Sequence, residues 1–421
     1  MSTARNSGNN IFMNVIKLFT WGIILFPVLN LYGVGIPGFS VGKLFLLIII
    51  VVNVVSTRSA SNIRIPRNLS PFAYWMLLIP FIYCFSDWIV LSSLIYKFIG
   101  VLGFWVTIAF SYRLFDWSRA VKYYEKSVVV FSVIFLIQTV VYFTTNINLS
   151  FIIPGLSLAD ASDSDFYVHM QSSLQRQCSV FLEPAHFSVY ISIYLILALR
   201  KSKGLTTNFG NLIFISVVML LTRSGNAYLA LVIIYGLYFL LNIRTIFTNK
   251  KGLMLLLICF FFAIPIYNRI KGVEEFDNSF GRVAELRLDG EQSTSGFERV
   301  YKGYYYYDAM DPLAKIIGTG QGNIEAYTAS HMDSRFGSLD ILGDSLYFNG
   351  IQQVLIYGGM FGLLLFVWGI FPYVKNPDSR ITILLYLAFC FISSTYNSST
   401  MLMFLLFADA LRRNSIRRIR A

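Results

Sequence analysis

Long stretches without a charged residue constrain the fold of this chain more than any other feature. Four of them are Leu18–Gly42, Leu205–Thr222, Ser224–Ile243 and Ser345–Val374. A helix needs about 20 apolar residues to cross the hydrocarbon core of a bilayer, and these stretches are of that order. They lack the period-two alternation of a transmembrane strand, and a backbone in lipid must satisfy its own hydrogen bonds. The sequence therefore predicts an all-α, polytopic transmembrane helical bundle.

The low share of charged residues indicates a single membrane-embedded body. Charged residues make up 13% of the 421 residues, whereas soluble domains carry about 25%. Too little polar surface remains to cover a soluble protein of this length. We predict one integral membrane domain over residues 1–421 with about twelve spans. The spans are expected near 13–32, 41–56, 70–86, 93–112, 127–145, 184–199, 205–222, 225–243, 252–268, 346–373, 381–396 and 398–411. The last two are short, and form either a hairpin or one broken helix.

The placement of the basic residues predicts the orientation of the bundle. The net charge is +12, but the lysines and arginines lie mainly in short loops between apolar runs, which argues against nucleic acid as a partner. One alternating set of loops, together with both ends of the chain, holds 21 of the 34 basic residues. These are Arg5, Arg58, Arg64, Arg67, Arg113, Arg119, Lys122, Lys126, Arg200, Lys201, Lys203, Arg244, Lys250, Lys251, Lys375, Arg380, Arg412, Arg413, Arg417, Arg418 and Arg420. Because cytoplasmic loops carry an excess of Lys and Arg, we predict that both termini are cytoplasmic.

Two long segments then face outward, at 146–183 and at 269–344, the latter between spans 9 and 10. The second segment holds eight basic residues, which indicate either an anionic ligand or an ordinary solvated surface. A glycine-rich stretch at 318–322 predicts a tight turn, whose backbone N–H groups could face an anion.

A helix is predicted over 296–310, because Ser295 and Glu298 match a capping box. Arg299, Lys302 and Tyr306 would share one face of this helix by their i+3 and i+4 spacing. The face would either bind phosphate and sugar, or rest on the membrane surface with its tyrosines at the headgroups.

Glu183 and His186 lie one helical turn apart where the first outer segment re-enters the membrane, just after Arg176. Either side chain could act as a general base. The structural alternative is that Glu183 caps the helix N-terminus, where the helix dipole favours a carboxylate, and that His186 is an interfacial residue.

Two further polar residues lie at predicted outer boundaries. Arg223 occupies a very short connection between two apolar runs, where it could bind phosphate or extend to the lipid headgroups. Asn349 opens the tenth span and could hydrogen-bond a ligand or another helix. The glycines at 358, 359 and 362 are expected to permit close helix packing.

Metal and nucleotide sites are not predicted. The four cysteines form no CxxC pair, and the chain carries no Walker motif, haem motif or acid-rich cluster. The sequence therefore predicts no metal and no cofactor.

Several short motifs resemble those of the bacterial O-antigen and capsular polysaccharide polymerases of the Wzy type, which are related to the O-antigen ligases. The matching residues are Phe181–His186, Leu220–Gly225, Arg299 with Ile316–Gly322, and Ser345–Gly362. The layout of spans and of the late outer loop is also similar over most of the chain. Ligases usually carry His-Asn where this chain has Phe348-Asn349, which points away from a ligase.

The resemblance implies a C-type glycosyltransferase-like fold and a metal-independent glycosyl transfer at the periplasmic face of the bacterial inner membrane. A growing glycan on undecaprenyl pyrophosphate would be transferred to a new lipid-linked repeat unit. Arg176, Arg223 and Arg299 would stabilise the pyrophosphate, and Lys302, Tyr306 and Asn349 would contact substrate. Glu183 or His186 would deprotonate or orient the acceptor hydroxyl. The implied partners are the lipid-linked oligosaccharide, membrane lipid and a chain-length regulator.

Two alternatives remain open. One is an O-antigen ligase that transfers glycan to lipid A core. The other is a lipid-linked oligosaccharide flippase, which should bury charge within its spans. The candidate intramembrane charges are few, chiefly Lys17, Lys43, Lys97 and Asp409, and lie mostly near span ends, which favours a site at the outer face.

Overall fold

The computed structural model describes residues 2–35, 39–57, 63–84, 86, 89–147, 149, 158, 177–200, 209–243, 295–332, 348–392 and 394–420. Within these ranges the protein is helical. It has isolated β-bridges there but no extended β-strand. The helices are α1 (Ser2–Leu29), α2 (Val41–Thr57), α3 (Ser70–Ile82), α4 (Leu91–Leu114), α5 (Trp117–Thr145), α6 (Pro184–Leu199), α7 (Phe209–Leu221), α8 (Gly225–Leu241), α9 (Ser295–Ala309), α10 (Pro312–Ile317), α11 (Ile324–His331), α12 (Gly350–Lys375), α13 (Arg380–Ile392) and α14 (Ser399–Arg420).

Each predicted span within the described ranges coincides with a helix; the span predicted at 252–268 lies outside them. Among the described residues, four helical segments are long and apolar enough to cross a membrane: Phe12–Leu29, Leu91–Leu114, Trp117–Thr145 and Gly350–Lys375. The same part of the chain has six shorter apolar helices, at Val41–Val55, Ser70–Ile82, Pro184–Leu199, Gly210–Leu221, Gly225–Leu241 and Arg380–Ile392. These helices indicate a membrane protein. The total of twelve spans stays a prediction.

α5 begins ten residues before the predicted span, at Trp117. Asp116 occupies the N-cap, and its carboxylate accepts hydrogen bonds from the backbone N–H groups of Ser118 (3.0 Å) and Arg119 (3.2 Å). This cap satisfies two N–H groups that a helix start leaves without partners, so the helix extends beyond its apolar part.

The region 381–411 forms two helices rather than one broken helix. α13 ends at Ile392 and α14 begins at Ser399, and the two pack against each other. Tyr396, in the connection between them, is buried.

α6 lies at the centre of the bundle. Its side chains from Phe187 to Ala198 are all buried, as expected of a helix that is apolar on every side. α14 is likewise buried from Met401 to Leu411, and it contacts α6 as well as α1 and α4. The bundle therefore has two central helices, which are surrounded by helices whose outer faces are apolar and exposed.

One end of the bundle gathers arginines, and we call it the basic end. The guanidinium carbons of Arg64 and Arg413 lie 5.1 Å and 4.3 Å from the ring centre of Tyr112. Arg413 Nε also lies 2.9 Å from Asp409 Oδ2, and Tyr373 OH donates to Asp409 Oδ1 at 3.2 Å. Basic residues that the sequence assigned to one alternating set of connections therefore meet at the same end.

α12 is broken in its middle, at Gly359, whose φ of 68° and ψ of −174° are not helical. The carbonyls just before the break find partners outside the helix, as buried backbone acceptors must. The bonds are Thr319 N to Ile356 O (3.0 Å), Gly320 N to Tyr357 O (2.9 Å) and Trp75 Nε1 to Gly358 O (2.7 Å). The glycine loop, residues 318–322, thus completes the hydrogen bonding of α12.

The sequence predicted a tight turn at the glycine loop, and this is confirmed: Gly318, Gly320 and Gly322 all have positive φ. Two of its N–H groups donate to α12 carbonyls, so the loop does not present them to an anion. Contact with the break is close, because a Cβ at Gly318 would lie 2.3 Å from Tyr357 O, and one at Gly359 would lie 2.3 Å from Ile316 O.

α9, α10 and α11 pack on the first half of α12 around a small second core. The predicted helix over 296–310 is confirmed as α9. Its Gly303 approaches α12 closely, since a Cβ there would lie 2.5 Å from the Gln352 side chain. Asp311 caps α10 by accepting from the N–H of Ala314 at 2.9 Å. Burial alone would raise the pKa of Asp311, but hydrogen bonds from Tyr327 and from backbone N–H groups, together with His331, lower it below its ordinary value.

Candidate functional site

A cavity of about 720 Å³ lies at the end of the bundle opposite the basic end. It is lined by the C-terminal part of α1, the N-terminal parts of α2, α4, α6 and α14, the glycine loop and the α13–α14 connection. We refer to it as the end cavity. Segments far apart in the sequence therefore meet at one site.

The end cavity has a polar part and an apolar part. The polar part includes Lys43, Lys97, His186, Gln321 and Asn397. The apolar part lies deeper along α2 and α4 and includes Leu46, Leu47, Ile50, Leu102 and Val106. Such a cavity suits an amphiphile better than a wholly polar ligand.

Gln321 is held in the cavity wall by its surroundings. Its Oε1 accepts a hydrogen bond from Tyr396 OH at 3.2 Å. The glycine loop that carries it is fixed on both sides, because Gly318 O accepts from Tyr83 OH at 2.9 Å and Gly322 O accepts from Ser93 Oγ at 3.0 Å. These contacts orient an amide side chain toward the neutral polar groups of the α13–α14 connection.

The segment that precedes α6 is anchored by Gln138 of α5. Gln138 Oε1 accepts from Ser179 N at 2.7 Å, and its Nε2 donates to Ser179 O at 3.0 Å and to Leu149 O at 2.9 Å. Ser179 has a φ of 59° and donates through Oγ to Phe131 O at 2.7 Å. A buried amide thus fixes the approach of the chain to Glu183.

Glu183 occupies the N-cap position of α6, and Pro184 follows at the first helical position. Its side chain makes no capping hydrogen bond. Glu183 therefore has the position of a helix cap, as the structural alternative predicted, but its carboxylate does not cap the backbone N–H groups of α6. His186 is exposed and lines the end cavity. Glu183 is not among the lining residues, so the structure brings the histidine, and not the carboxylate, to the cavity wall.

Of the three arginines assigned to pyrophosphate, only the side chain of Arg223 lies within the described part of the chain. Arg176 lies outside the described residues, and the side chain of Arg299, on α9, does too. Arg223 has a φ of 50° in the short connection between α7 and α8. Its guanidinium carbon lies 5.9 Å from the ring centre of Phe143, and it does not line the end cavity. Convergence of the three stays a prediction.

Lys302 and Tyr306 of α9 are buried, and Tyr306 has no exposed surface. The Tyr306 ring lies 5.3 Å from that of Phe348, and its hydroxyl is 2.7 Å from Thr328 Oγ1. Both residues share a helix face with Gly303, and that is the face that packs on α12. The assignment of Lys302 and Tyr306 to substrate binding stays a prediction.

Asn349 is buried and contacts neighbouring helices rather than the cavity. Its Oδ1 accepts from Gln352 N at 2.9 Å and Gln352 Oε1 accepts from Asn349 N at 3.1 Å, which forms a capping box for α12. Its Nδ2 donates to Phe391 O on α13 at 2.8 Å. Of the two sequence alternatives, the contact with another helix is confirmed.

Sequence reasoning missed the polar lining around Gln321, and it noted Lys43 and Lys97 only as charges near span ends. In the described part of the chain, no group of three or more His, Cys, Asp or Glu residues could hold a metal ion. Comparisons with protein-family models, with curated proteins and with solved structures found no match.

Proposed function

We propose that the protein polymerises undecaprenyl-pyrophosphate-linked oligosaccharide repeat units of O-antigen or capsule. A growing glycan is transferred from its lipid carrier to the non-reducing end of a new lipid-linked unit, with release of undecaprenyl pyrophosphate. The observation that supports this best is the end cavity, which joins a polar part containing His186 to an apolar part along α2 and α4. A lipid-linked sugar has the same division into polar head and hydrocarbon tail.

The reaction needs a group that accepts a proton and an environment that stabilises negative charge. The bond between the anomeric carbon and the diphosphate oxygen breaks, and the bonding electrons leave on the diphosphate. The anomeric carbon bonds the acceptor oxygen, whose proton passes to a base. His186 at the cavity wall and Glu183 one turn away are the candidates for that base, and nearby cations would stabilise the leaving group.

The arrangement of the two ends supports a location in the bacterial inner membrane, with the end cavity on the periplasmic side. The arginines around Tyr112 mark the opposite end, and an excess of basic residues is typical of the cytoplasmic side. Both termini would then be cytoplasmic, and the 269–344 loop periplasmic. A chain-length regulator would contact the periplasmic side, and membrane lipid the exposed apolar faces.

Cysteine labelling tests this orientation. In a cysteine-free background, a membrane-impermeant thiol reagent applied from outside should modify a cysteine placed at position 290 and leave one at position 248 unmodified. The first position lies in the long loop that is proposed to be periplasmic, and the second in a basic connection. Labelling of position 248 and protection of position 290 would reverse the orientation and contradict a periplasmic site.

The base is tested by comparing Glu183→Gln with His186→Ala. Glutamine keeps the size and hydrogen bonding of Glu183 but accepts a proton poorly, so we expect cells to accumulate glycans of a single repeat unit at normal protein level. Glu325→Gln is a matched control, because Glu325 is an exposed carboxylate on α11, away from the N-terminus of α6 that carries Glu183 and His186; its polymer should be normal. Full-length polymer from Glu183→Gln, with loss only in His186→Ala, would assign the base to the histidine.

A further inference from the structure

The basic end holds more positive charge than the carboxylate within it can balance. Arg64 lies in the connection before α3, and Arg412 and Arg413 lie in α14. Arg413 pairs with Asp409, Nε to Oδ2, at 2.9 Å. In the described part of the chain, Arg64 and Arg412 form no ion pair with a carboxylate. Because guanidinium groups stay charged at neutral pH, at least two positive charges remain without a matching negative charge.

Tyr112 of α4 brings two of these cations together. The guanidinium carbons of Arg64 and Arg413 lie 5.1 Å and 4.3 Å from the centre of its ring, and the two groups can be no further apart than the sum of these distances. The backbone of Arg64 is held against α4, since its N–H donates to Ala109 O at 3.3 Å. The ring attracts each cation, but like charges at this range still repel each other. An anion between them would remove that repulsion.

Arg412 is held beside this pair by contacts with three helices. Its guanidinium carbon lies 5.1 Å from the ring centre of Tyr373 on α12, and its Nη1 donates to Asn68 Oδ1 at 2.9 Å. Asn68 Nδ2 in turn donates to Gly369 O at 2.6 Å. Tyr373 OH donates to Asp409 Oδ1 at 3.2 Å, which links α12 to α14. The cations are therefore positioned by the fold before any ligand arrives.

The three guanidinium groups remain accessible to a ligand. Arg64 is exposed, and Arg412 and Arg413 are half-buried. Each guanidinium carries five N–H donors, of which Arg412 uses one on Asn68 and Arg413 directs one at Asp409. The planar fork of an arginine matches the oxygens of a phosphate and binds them in pairs. The basic end therefore has the charge and the donors of a phosphate site.

The neighbouring surface of α12 indicates a lipid as the source of that phosphate. Trp368 and Phe371, which precede Tyr373 on this helix, are 55% and 51% exposed. Lys375 Nζ lies 4.5 Å from the ring centre of Phe371. Exposed aromatic residues followed by a lysine are typical of the level at which hydrocarbon gives way to headgroups. Lipid phosphates would therefore lie at the depth of the basic end.

We infer that the basic end binds the phosphate of an anionic phospholipid between Arg64, Arg412 and Arg413, with the acyl chains along the exposed face of α12. A zwitterionic headgroup brings its own cation, which the surplus positive charge repels, whereas an anionic headgroup does not. This site lies at the end of the bundle opposite the end cavity. It rests on the charges and contacts of the basic end and is independent of the proposed function.

Native mass spectrometry of the purified full-length protein tests the inference, with phosphatidylglycerol and phosphatidylcholine of the same acyl chains titrated in detergent. Phosphatidylglycerol should bind roughly tenfold more tightly, and Arg64→Gln/Arg412→Gln should remove most of that difference, because hydrogen bonds to a charged group contribute about 1.5–3 kcal/mol. Lys122→Gln/Lys126→Gln is the matched control. It removes the same charge from exposed positions on α5, and its affinity for phosphatidylglycerol should be unchanged.

Three results would overturn the inference. Equal affinity of the wild type for the two lipids would remove the preference for an anion. Equal weakening by the two double variants would show a response to net charge and not to the cluster. Displacement of phosphatidylglycerol by an equal concentration of inorganic phosphate would identify a site for a free anion.

Arg64→Gln alone keeps the test decisive if the double variant does not fold. Arg64 is exposed, so its replacement leaves the packing of the bundle intact, and an equal melting temperature of variant and wild type in phosphatidylcholine checks this. The single variant should bind phosphatidylglycerol severalfold more weakly than the wild type. Unchanged affinity in this variant would exclude Arg64 from the site and contradict the inference.

Discussion

Replacing Gly103 with tryptophan should abolish long glycan chains and leave single repeat units. Gly103 lines the end cavity, and a Cβ there would meet nothing within 4 Å. We expect the indole to enter the space along α4 that the substrate tail needs, since no atom of the fold lies within 4 Å of the added Cβ. A glycine within a helix is also unfavourable by about 0.5–1 kcal/mol relative to alanine, so the substitution should not unfold α4. Polymer length on a gel, at matched protein level, is the measurement.

Gly236→Trp is the matched control for this variant. Gly236 lies within α8, a Cβ there would also meet nothing within 4 Å, and it does not line the cavity. Normal polymer is expected from it. If Gly103→Trp made full-length polymer at normal protein level, the end cavity would not be the substrate site.

Replacing Gly359 with alanine should destabilise the protein strongly. The break in α12 requires a φ of 68° with a ψ of −174°, a region open essentially to glycine alone, at a cost of about 1–3 kcal/mol for other residues. The added Cβ would also lie 2.3 Å from Ile316 O and 2.5 Å from Gly318 N, both backbone atoms that cannot rotate away. We expect a lower melting temperature, followed by tryptophan fluorescence in detergent, and loss of polymer because the loop that holds Gln321 is displaced.

Gly35→Ala separates the two causes of the expected destabilisation, which are the strained backbone conformation and the steric overlap of the added Cβ. Gly35 has a φ of 75°, and a Cβ there would meet nothing within 4 Å, so its cost is conformational alone, about 1–2 kcal/mol. Gly359→Ala should lower the melting temperature clearly more than Gly35→Ala. Equal small effects from the two substitutions would contradict the break in α12 at Gly359 and its close contact with the glycine loop.

The helices were predictable because the pattern that indicates them, a long run of uncharged apolar residues, is local in the sequence. Uncharged runs such as Ser224–Ile243 predict a helix whatever surrounds them, and the predicted ends of α8 lie within a few residues of those observed. α5 shows the limit of this reasoning: its first turns, from Trp117, are polar enough to fall outside a hydropathy pattern, and the cap at Asp116 extends them.

The break in α12 was not predictable in the same way. Gly358 and Gly359 lie inside a long apolar run, where glycines also serve helix packing. What distinguishes a break is the set of partners for the freed carbonyls, and these come from Thr319, Gly320 and Trp75. No local pattern contains contacts between residues so far apart in the chain.

The candidate site was predicted only in part for a related reason. Helical spacing placed Lys302 and Tyr306 on one face correctly, but spacing does not tell whether that face meets solvent or α12. Gly303 on the same face was the available signal, because a small residue lets two helix backbones approach closely. The convergence of Lys43, Lys97 and Gln321 depends on the packing of three separate segments, which the sequence pattern does not specify.

The most direct test of the central claim is reconstitution of the purified protein with its own substrate. Lipid-linked repeat units can be extracted from cells in which the gene has been deleted, where the polymerase hypothesis expects them to accumulate, so the sugars need not be known beforehand. In proteoliposomes, the account predicts a ladder of lengthening glycans with one undecaprenyl pyrophosphate released per unit added, as followed by gel and mass spectrometry. Units that stay single, and that are instead transferred to added lipid A core or only moved across the bilayer, would contradict it.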